Sequence, residues 1–163
     1  EDSSVNNIIA VDVFHHLQRP IRFLHEASRL LQPGGRLLLI EPAITLFSQL
    51  FFRWFHSEPF DMKVDVLGDS QLSSKCNPFD SNQALGTLLV TKDRHRLSKR
   101  VSGLRVSKIE WMGSLAYPLS GGFRQWCLLP EVIVKPILAL ESAIDKLFGR
   151  FVAFRLLIVI TKD

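Results

Sequence analysis

The fold is decided by residues 5–42, VNNIIAVDVFHHLQRPIRFLHEASRLLQPGGRLLLIEP. The stretch begins with an apolar, β-branched run up to Val13, which is typical of a strand buried on both faces of a parallel sheet. Pro20 suits the first turn of a helix, and apolar residues then repeat every three or four positions. The turn QPGG, residues 32–35, ends that helix because proline lacks the amide hydrogen and glycine accepts left-handed geometry. RLLLIE, residues 36–41, predicts a second buried strand, so the stretch forms a βαβ unit with a right-handed crossover.

The rest of the chain predicts more helices and strands. Residues 43–56 are aromatic-rich, with apolar side chains every three or four positions, which favours a helix. Polar and turn-forming residues predict irregular structure over 57–82, whereas the pattern of 83–91 fits a helix or a strand equally well. We expect an exposed helix at residues 92–100, a strand at 104–112 and a loop at 117–122. A long helix at 130–148 and a final strand at 153–161 follow.

Composition is that of an ordinary globular domain. The sequence has 163 residues, of which 47% are hydrophobic and 22% charged, and this excludes collagen, low-complexity and disulfide-rich classes. The net charge is +4, and the basic residues are scattered, so we expect no nucleic-acid partner. Cys76 and Cys127 lie too far apart for a zinc motif. No apolar stretch reaches the roughly 20 residues that span a bilayer, and no signal-peptide pattern is visible, so we expect a cytoplasmic protein.

The order of the motifs in residues 1–42 resembles the C-terminal half of class I S-adenosylmethionine-dependent methyltransferases. In that family a D-V-x-H-H-L segment closes the fourth strand, as at residues 12–17. An R-x-L-x-P-G-G-x-L-x-x-x-E-P segment joins the next helix to the fifth strand, as at residues 29–42. The resemblance is looser toward the end, where 130–161 looks like the family's antiparallel closing pair. It implies an α/β fold, a three-layer Rossmann-like sheet without its N-terminal strands, and S-adenosylmethionine as the cofactor.

Two parts of the family pattern are missing from the sequence. No GxGxG loop occurs, and no strand precedes the fourth-strand equivalent. We therefore expect a fragment of a longer enzyme, inactive alone, with an exposed apolar sheet edge. The chain then forms one partial domain: residues 1–42 are its βαβ core, 43–130 a substrate-side insertion, and 131–163 the closing helix and strand.

Ligands of doubly wound sheets bind outside the carboxyl ends of the strands, and two loops of this chain are expected there. The first runs from Asp12 to His16, and the second is Glu41-Pro42. The resemblance implies that the backbone around Asp12 and Val13 approaches the methionine part of the cofactor, and that Phe14 and His15 lie near the reacting methyl group. His15 or His16 is also a candidate general base, with His15 the one retained as a catalytic candidate, although methyl transfer from an activated sulfonium needs only a well-placed nucleophile. His15 and His16 have no further ligands at metal-binding spacing, so we predict no metal. The candidate cofactor contacts are Asp12, Val13, Phe14 and His15, and the candidate substrate contacts are His16, Glu41, Tyr117 and Arg124.

Together, these predictions indicate an enzyme that transfers a methyl group from S-adenosylmethionine to a small, apolar or lipid-like acceptor. The alternative is a non-catalytic module that binds a partner or a membrane surface through its apolar helix, residues 46–55. A reductase-type Rossmann domain is disfavoured because Tyr117 has no lysine four positions later, where Gly121 stands. The patterns do not identify the acceptor or the oligomeric state.

Overall fold

The computed structural model describes residues 1–55, 59–70, 81–121 and 125–163. Within these residues one sheet holds four strands in the order β1-β2-β4-β3. Strands β1 and β2 are parallel, and β4 lies antiparallel between β2 and β3. The strands are β1 Val5–Val11, β2 Leu31–Pro42, β3 Leu104–Met112 and β4 Arg155–Lys162. The helices are α1 Pro20–Leu30, α2 Leu46–Phe55, α3 Leu85–Thr91, α4 Arg94–Arg100, α5 Ala116–Leu119 and α6 Glu131–Val152.

The predicted βαβ unit is confirmed as β1, α1 and β2. Pro20 is the first residue of α1, where its missing amide hydrogen has no partner to lose. The helix buries its apolar stripe, Ile21, Leu24 and Ala27. Because side chains alternate along a strand, β2 directs Leu37 and Leu39 into the same core, where both are fully buried.

The closing strand completes that core. In the antiparallel register, Leu37 faces Ile160 and Leu39 faces Ile158, and all four side chains are buried. Strand β1 forms one edge of the sheet, and its Ile9 side chain is 67% exposed. This is the apolar edge expected from the sequence.

Two predicted boundaries move because local hydrogen bonds override the apolar pattern. Helix α2 begins at Leu46 instead of residue 43, since Thr45 caps it: the Ser48 amide donates to Thr45 Oγ1 at 3.1 Å, and the Thr45 amide donates to Ser48 Oγ at 2.8 Å. Such reciprocal bonds fix a helix start. Helix α6 runs on to Val152, so β4 begins at Arg155 instead of residue 153.

The prediction of a plain loop at residues 117–122 is wrong for its first part. Residues 116–119 form helix α5, because the Glu141 carboxylate of α6 accepts the amide hydrogens of Leu115 and Ala116 at 2.8 and 2.5 Å. The ambiguous segment 83–91 is helical as α3. Among the described residues, no helix combines the length and apolar character needed to cross a bilayer.

Candidate functional site

The site centres on the turn that follows β1, residues 12–17, which we call the β1 turn. Its first residue, Asp12, has a positive φ of 53°, a left-handed conformation that is uncommon outside glycine but tolerated by aspartate. The next residues form a short 3-10 helix, Phe14–His16. The Asp12 amide still donates to Ile40 O of β2 at 2.9 Å. The chain therefore turns sharply at the carboxyl edge of the two parallel strands, as the sequence predicts.

Glu41, near the end of β2, holds the β1 turn through hydrogen bonds to its carboxylate. Its Oε1 accepts the amide hydrogens of Val13 and Phe14 at 3.1 and 2.8 Å. Its Oε2 accepts the His15 amide at 3.2 Å and lies 2.5 Å from His15 Nδ1. The Glu41 side chain is completely buried, so these donors replace the water that an ionised carboxylate requires. Both carboxylate oxygens of Glu41, a predicted substrate contact, therefore already accept hydrogen bonds from the β1 turn.

Asp12 is held from the other side by Arg155, the first residue of β4. The guanidinium donates two hydrogen bonds to the Asp12 carboxylate, at 2.6 and 2.9 Å. Sequence analysis missed Arg155 as a site residue; the available signal was a single arginine within the apolar run FRLLIVI, residues 154–160. The carboxylate predicted to meet the cofactor therefore already has a bidentate partner.

The remaining candidates of the β1 turn face different surroundings. Phe14 is fully buried and meets Phe23 edge-on with ring centroids 6.0 Å apart. Its amide donates to Glu41, and its carbonyl accepts the Leu17 amide hydrogen at 3.1 Å. Val13 is 43% exposed. His15 and His16 lie side by side, with ring centroids 4.2 Å apart.

His15 and His16 line a cavity of about 180 Å³. The cavity is lined by the apolar side chains of Leu17, Val64 and Leu85 and also by Asn82. The Asn82 amide donates to His15 O at 2.8 Å, which ties this wall to the β1 turn. Within the described residues, the buried His16 Nδ1 has no hydrogen-bond partner. A buried polar atom of this kind calls for an explanation, such as a ligand.

Tyr117 belongs to an aromatic cluster at the same edge of the sheet. It stacks on Phe154 with ring centroids 5.6 Å apart, and Phe154 precedes Arg155. A Cβ added at Gly113 would lie 3.2 Å from Arg155 Cγ and 3.6 Å from Tyr117 Cβ, so Tyr117 is a close neighbour of the Asp12–Arg155 pair. Phe154 is also met edge-on by Phe47, Phe51 and Phe52 of α2. The fourth predicted substrate contact, Arg124, lies outside the described residues.

Comparison with known proteins supports the predicted relationship. Residues 1–39 match a family model described as a methyltransferase domain, which confirms the resemblance on the residues that carry it. No curated protein sequence matches the chain.

The solved structures similar to this chain include two methyltransferases. One is a SAM dependent methyltransferase from Archaeoglobus fulgidus, with 15% identity and a TM-score of 0.47 over 99% of this chain and 61% of that one. The other is a putative methyltransferase from Bacillus halodurans, with 16% identity and a TM-score of 0.47 over 99% of this chain and 65% of that one. The chain thus spans less than two thirds of either structure. The α/β class predicted from the sequence is confirmed by the chain's own mixed four-stranded sheet and its helices.

Proposed function

We propose that this chain is part of an enzyme that transfers a methyl group from S-adenosylmethionine to a small acceptor, because its residues 1–39 match a family model described as a methyltransferase domain. One observation carries the proposal. The family match falls on β1, the β1 turn, α1 and most of β2, and these are the elements that bring Asp12 and Glu41 to one edge of the sheet. Ligands of doubly wound sheets bind at this edge.

The cofactor would lie along the β1 turn, against the backbone of residues 12–15. Two features support this fit. The turn is rigidly held by Glu41 and Arg155, and Val13 offers an exposed surface beside it. When bound, S-adenosylmethionine supplies a methyl group that is already activated by its sulfonium. The residues of this chain then orient the acceptor toward that methyl group and keep water away.

The acceptor would occupy the cavity beside His15 and His16. A volume of about 180 Å³ suits a small molecule, and its walls of Leu17, Val64 and Leu85 favour apolar groups. The Nδ1 of His16, which has no hydrogen-bond partner in the part of the chain that the structure describes, would meet one polar atom of that acceptor. The elements after β2, residues 43–130, supply part of this cavity and would govern which acceptor fits.

Calorimetric titration of the full-length protein with S-adenosylmethionine tests the proposal. We expect saturable binding with a micromolar dissociation constant. Val13→Asp would weaken it strongly, because a charged group would replace an exposed apolar side chain on the surface that the cofactor is proposed to cover. Glu110→Gln, an exposed position on β3, serves as the matched control and leaves the affinity unchanged. Absence of binding in a folded full-length protein would exclude the enzyme function.

A second candidate function rests on α2. Its Leu46, Leu50 and Trp54 side chains are 70%, 62% and 79% exposed, and their spacing of four residues places them on one stripe. Such a stripe beside Arg53 resembles helices that lie in membrane interfaces, and the same surface would suit a protein partner. Sedimentation with anionic phospholipid vesicles tests the membrane form: the wild type would co-sediment and Leu50→Glu would not. Equal recovery of both proteins in the supernatant would exclude it.

A further inference from the structure

Helix α6 presents an apolar surface on the side that faces away from the rest of the protein. We infer that this surface docks the protein on an anionic lipid membrane, with the helix lying along the interface. The inference does not depend on methyl transfer. It extends the second candidate function, which rests on α2, to another helix and commits it to one kind of partner.

The inward side of α6 carries two of its acidic side chains. Glu141 and Asp145 accept amide hydrogens from residues 113–116, which follow β3, at 2.5 to 3.3 Å. Gly149 lies on the same side, where an added Cβ would come within 2.8 Å of Trp111 Cβ. Because these positions are spaced by four residues, they form one stripe, and this stripe fixes the orientation of the helix.

The outward side of α6 is apolar along its length. Successive residues of a helix are rotated by about 100°, so Leu147 and Phe151, two positions before and after Gly149, lie on the opposite side. Leu140 and Val132 continue this side toward the start of the helix, and all four side chains are more than half exposed. A helix on the surface of a globular protein normally directs charged and polar residues outward. The reversed pattern indicates that another apolar phase covers this side.

Basic side chains border the apolar side and decide what covers it. Lys135, Lys146 and Arg150 are exposed. Since Glu141 and Asp145 are engaged inward, Glu131 in the first turn is the only other acidic residue of α6, a helix that the structure describes completely. The exposed charge of the helix is therefore positive. Anionic phospholipid complements this surface, because its acyl boundary accepts the apolar side chains while its phosphates meet the cations.

A second copy of this chain fits the surface less well. If two α6 helices packed by their apolar sides, the cations of each helix would face either the cations or the apolar border of the other. Carboxylates that could neutralise them are turned inward in both copies. Like charges brought together at an interface oppose association, whereas an anionic lipid surface attracts the same side chains.

Sedimentation of the full-length protein with vesicles tests the inference. With phosphatidylcholine and phosphatidylserine in equal amounts, we expect the wild type to co-sediment, and to do so less at high salt because salt screens the attraction. Vesicles of phosphatidylcholine alone should bind it about tenfold more weakly. Leu147→Glu should weaken binding to the mixed vesicles by about tenfold or more, and Lys146→Gln by about fivefold.

Two substitutions on α4 are the matched controls. Ser98→Glu adds the same charge as Leu147→Glu, and Lys99→Gln removes the same charge as Lys146→Gln. Both α4 side chains are exposed, so we expect these proteins to bind the mixed vesicles like the wild type. Leu147 is 72% exposed, so its substitution should leave the fold intact, and circular dichroism checks this. If a variant does not fold, the wild type's preference for the anionic vesicles still decides.

Four results would overturn the inference. The first is a wild type that stays in the supernatant, and the second is equal binding to anionic and neutral vesicles. The third is weakening by the α4 substitutions as large as that by the α6 substitutions, or loss in Leu50→Glu alone, which would assign the contact to α4 or α2. The fourth is a dimer that forms without vesicles, is abolished by Leu147→Glu and does not bind lipid, since α6 would then be covered by a second copy.

Calorimetry with S-adenosylmethionine separates this inference from the proposed methyl transfer. Vesicle binding through α6 by a protein that does not bind the cofactor supports the membrane surface and defeats the methyl-transfer proposal. Cofactor binding by a protein that does not bind vesicles defeats the membrane surface alone.

Discussion

Substitutions of Asp12 should separate two contributions that the structure combines in one residue. Asp12 accepts two charge-assisted hydrogen bonds from Arg155, and it adopts a left-handed backbone with φ of 53°. Asparagine tolerates that backbone but loses the charge, glycine adopts it freely but loses the side chain, and alanine fits neither requirement. The three variants therefore report the ion pair and the backbone strain separately.

The expected magnitudes follow from exposure and geometry. The Arg155 and Asp12 side chains are 15% and 31% exposed, so solvent screens the pair only in part, and hydrogen bonds to charged groups contribute about 1.5–3 kcal/mol. We expect Asp12→Asn and Asp12→Gly to lower the free energy of unfolding by about 2 kcal/mol. Asp12→Ala should cost about 1 kcal/mol more, because a Cβ without a local hydrogen bond is strained in the left-handed region.

Urea unfolding followed by circular dichroism measures these values, and Arg155→Met completes a double-mutant cycle with Asp12→Asn. A coupling energy below about 0.5 kcal/mol would show that the two sites act independently and would refute the ion-pair argument. Equal stability of the alanine and glycine variants would refute the strain argument. Calorimetry with S-adenosylmethionine distinguishes two roles of Asp12 in cofactor binding. If the Asp12 side chain contacts the cofactor directly, only Asp12→Asn should weaken binding. If Asp12 acts by holding the shape of the turn, Asp12→Asn and Arg155→Met should weaken binding to a similar extent.

Three further predictions concern stability. Phe154→Ala should lower the free energy of unfolding by about 3–5 kcal/mol, because this fully buried ring meets α2 and Tyr117. Thermal denaturation measures the loss, with Phe154→Leu as the smaller perturbation. A loss under about 1 kcal/mol in the alanine variant would contradict the prediction. Gly149→Ala should be destabilising despite the better helix propensity of alanine, because the new Cβ would lie 2.8 Å from Trp111 Cβ; a rise in melting temperature would contradict that packing. The hydrogen bond from Arg96 lowers the pKa of Asp65 below its ordinary value of 3.8, so this pair stabilises the fold above that value and the contribution disappears as pH falls through the lowered pKa. The stability difference between wild type and Arg96→Gln should therefore shrink in acid titration, and a difference that grows below pH 3.8 would contradict this sign.

The βαβ unit was predictable because its signals are local. An apolar β-branched run, a proline at the first helical turn and a proline-glycine-glycine stop each act within a few residues. Segment 83–91 lacked such a signal. Its residues 85–90 are all buried, so the segment shows no polar face, and an apolar run without a face fits a helix and a strand equally.

The site was predictable in position but not in contacts. Placing Asp12 and Glu41 at one edge of the sheet needed only the parallel strand order. Their partners depend on tertiary structure: Arg155 follows Asp12 by 143 residues, and the His15 ring reaches Glu41 across 26 residues. The helical turn at 116–119 was missed for the same reason, since the carboxylate that caps it belongs to α6.

Taken together, these contacts couple the candidate site to the closing strand. Glu41 holds the β1 turn through the parallel neighbour β2, whereas Arg155 holds it through the antiparallel β4. Among the described hydrogen bonds, Glu41 accepts the amide hydrogens of residues 13–15, whereas the Asp12 side chain accepts from Arg155. The Asp12 side chain at the left-handed start of the turn therefore gains its Arg155 partner when β4 docks beside β2. Since Arg155 follows Asp12 by 143 residues, the cofactor-side geometry proposed for residues 12–15 should form together with the complete sheet, and substitutions in β4 should disturb it.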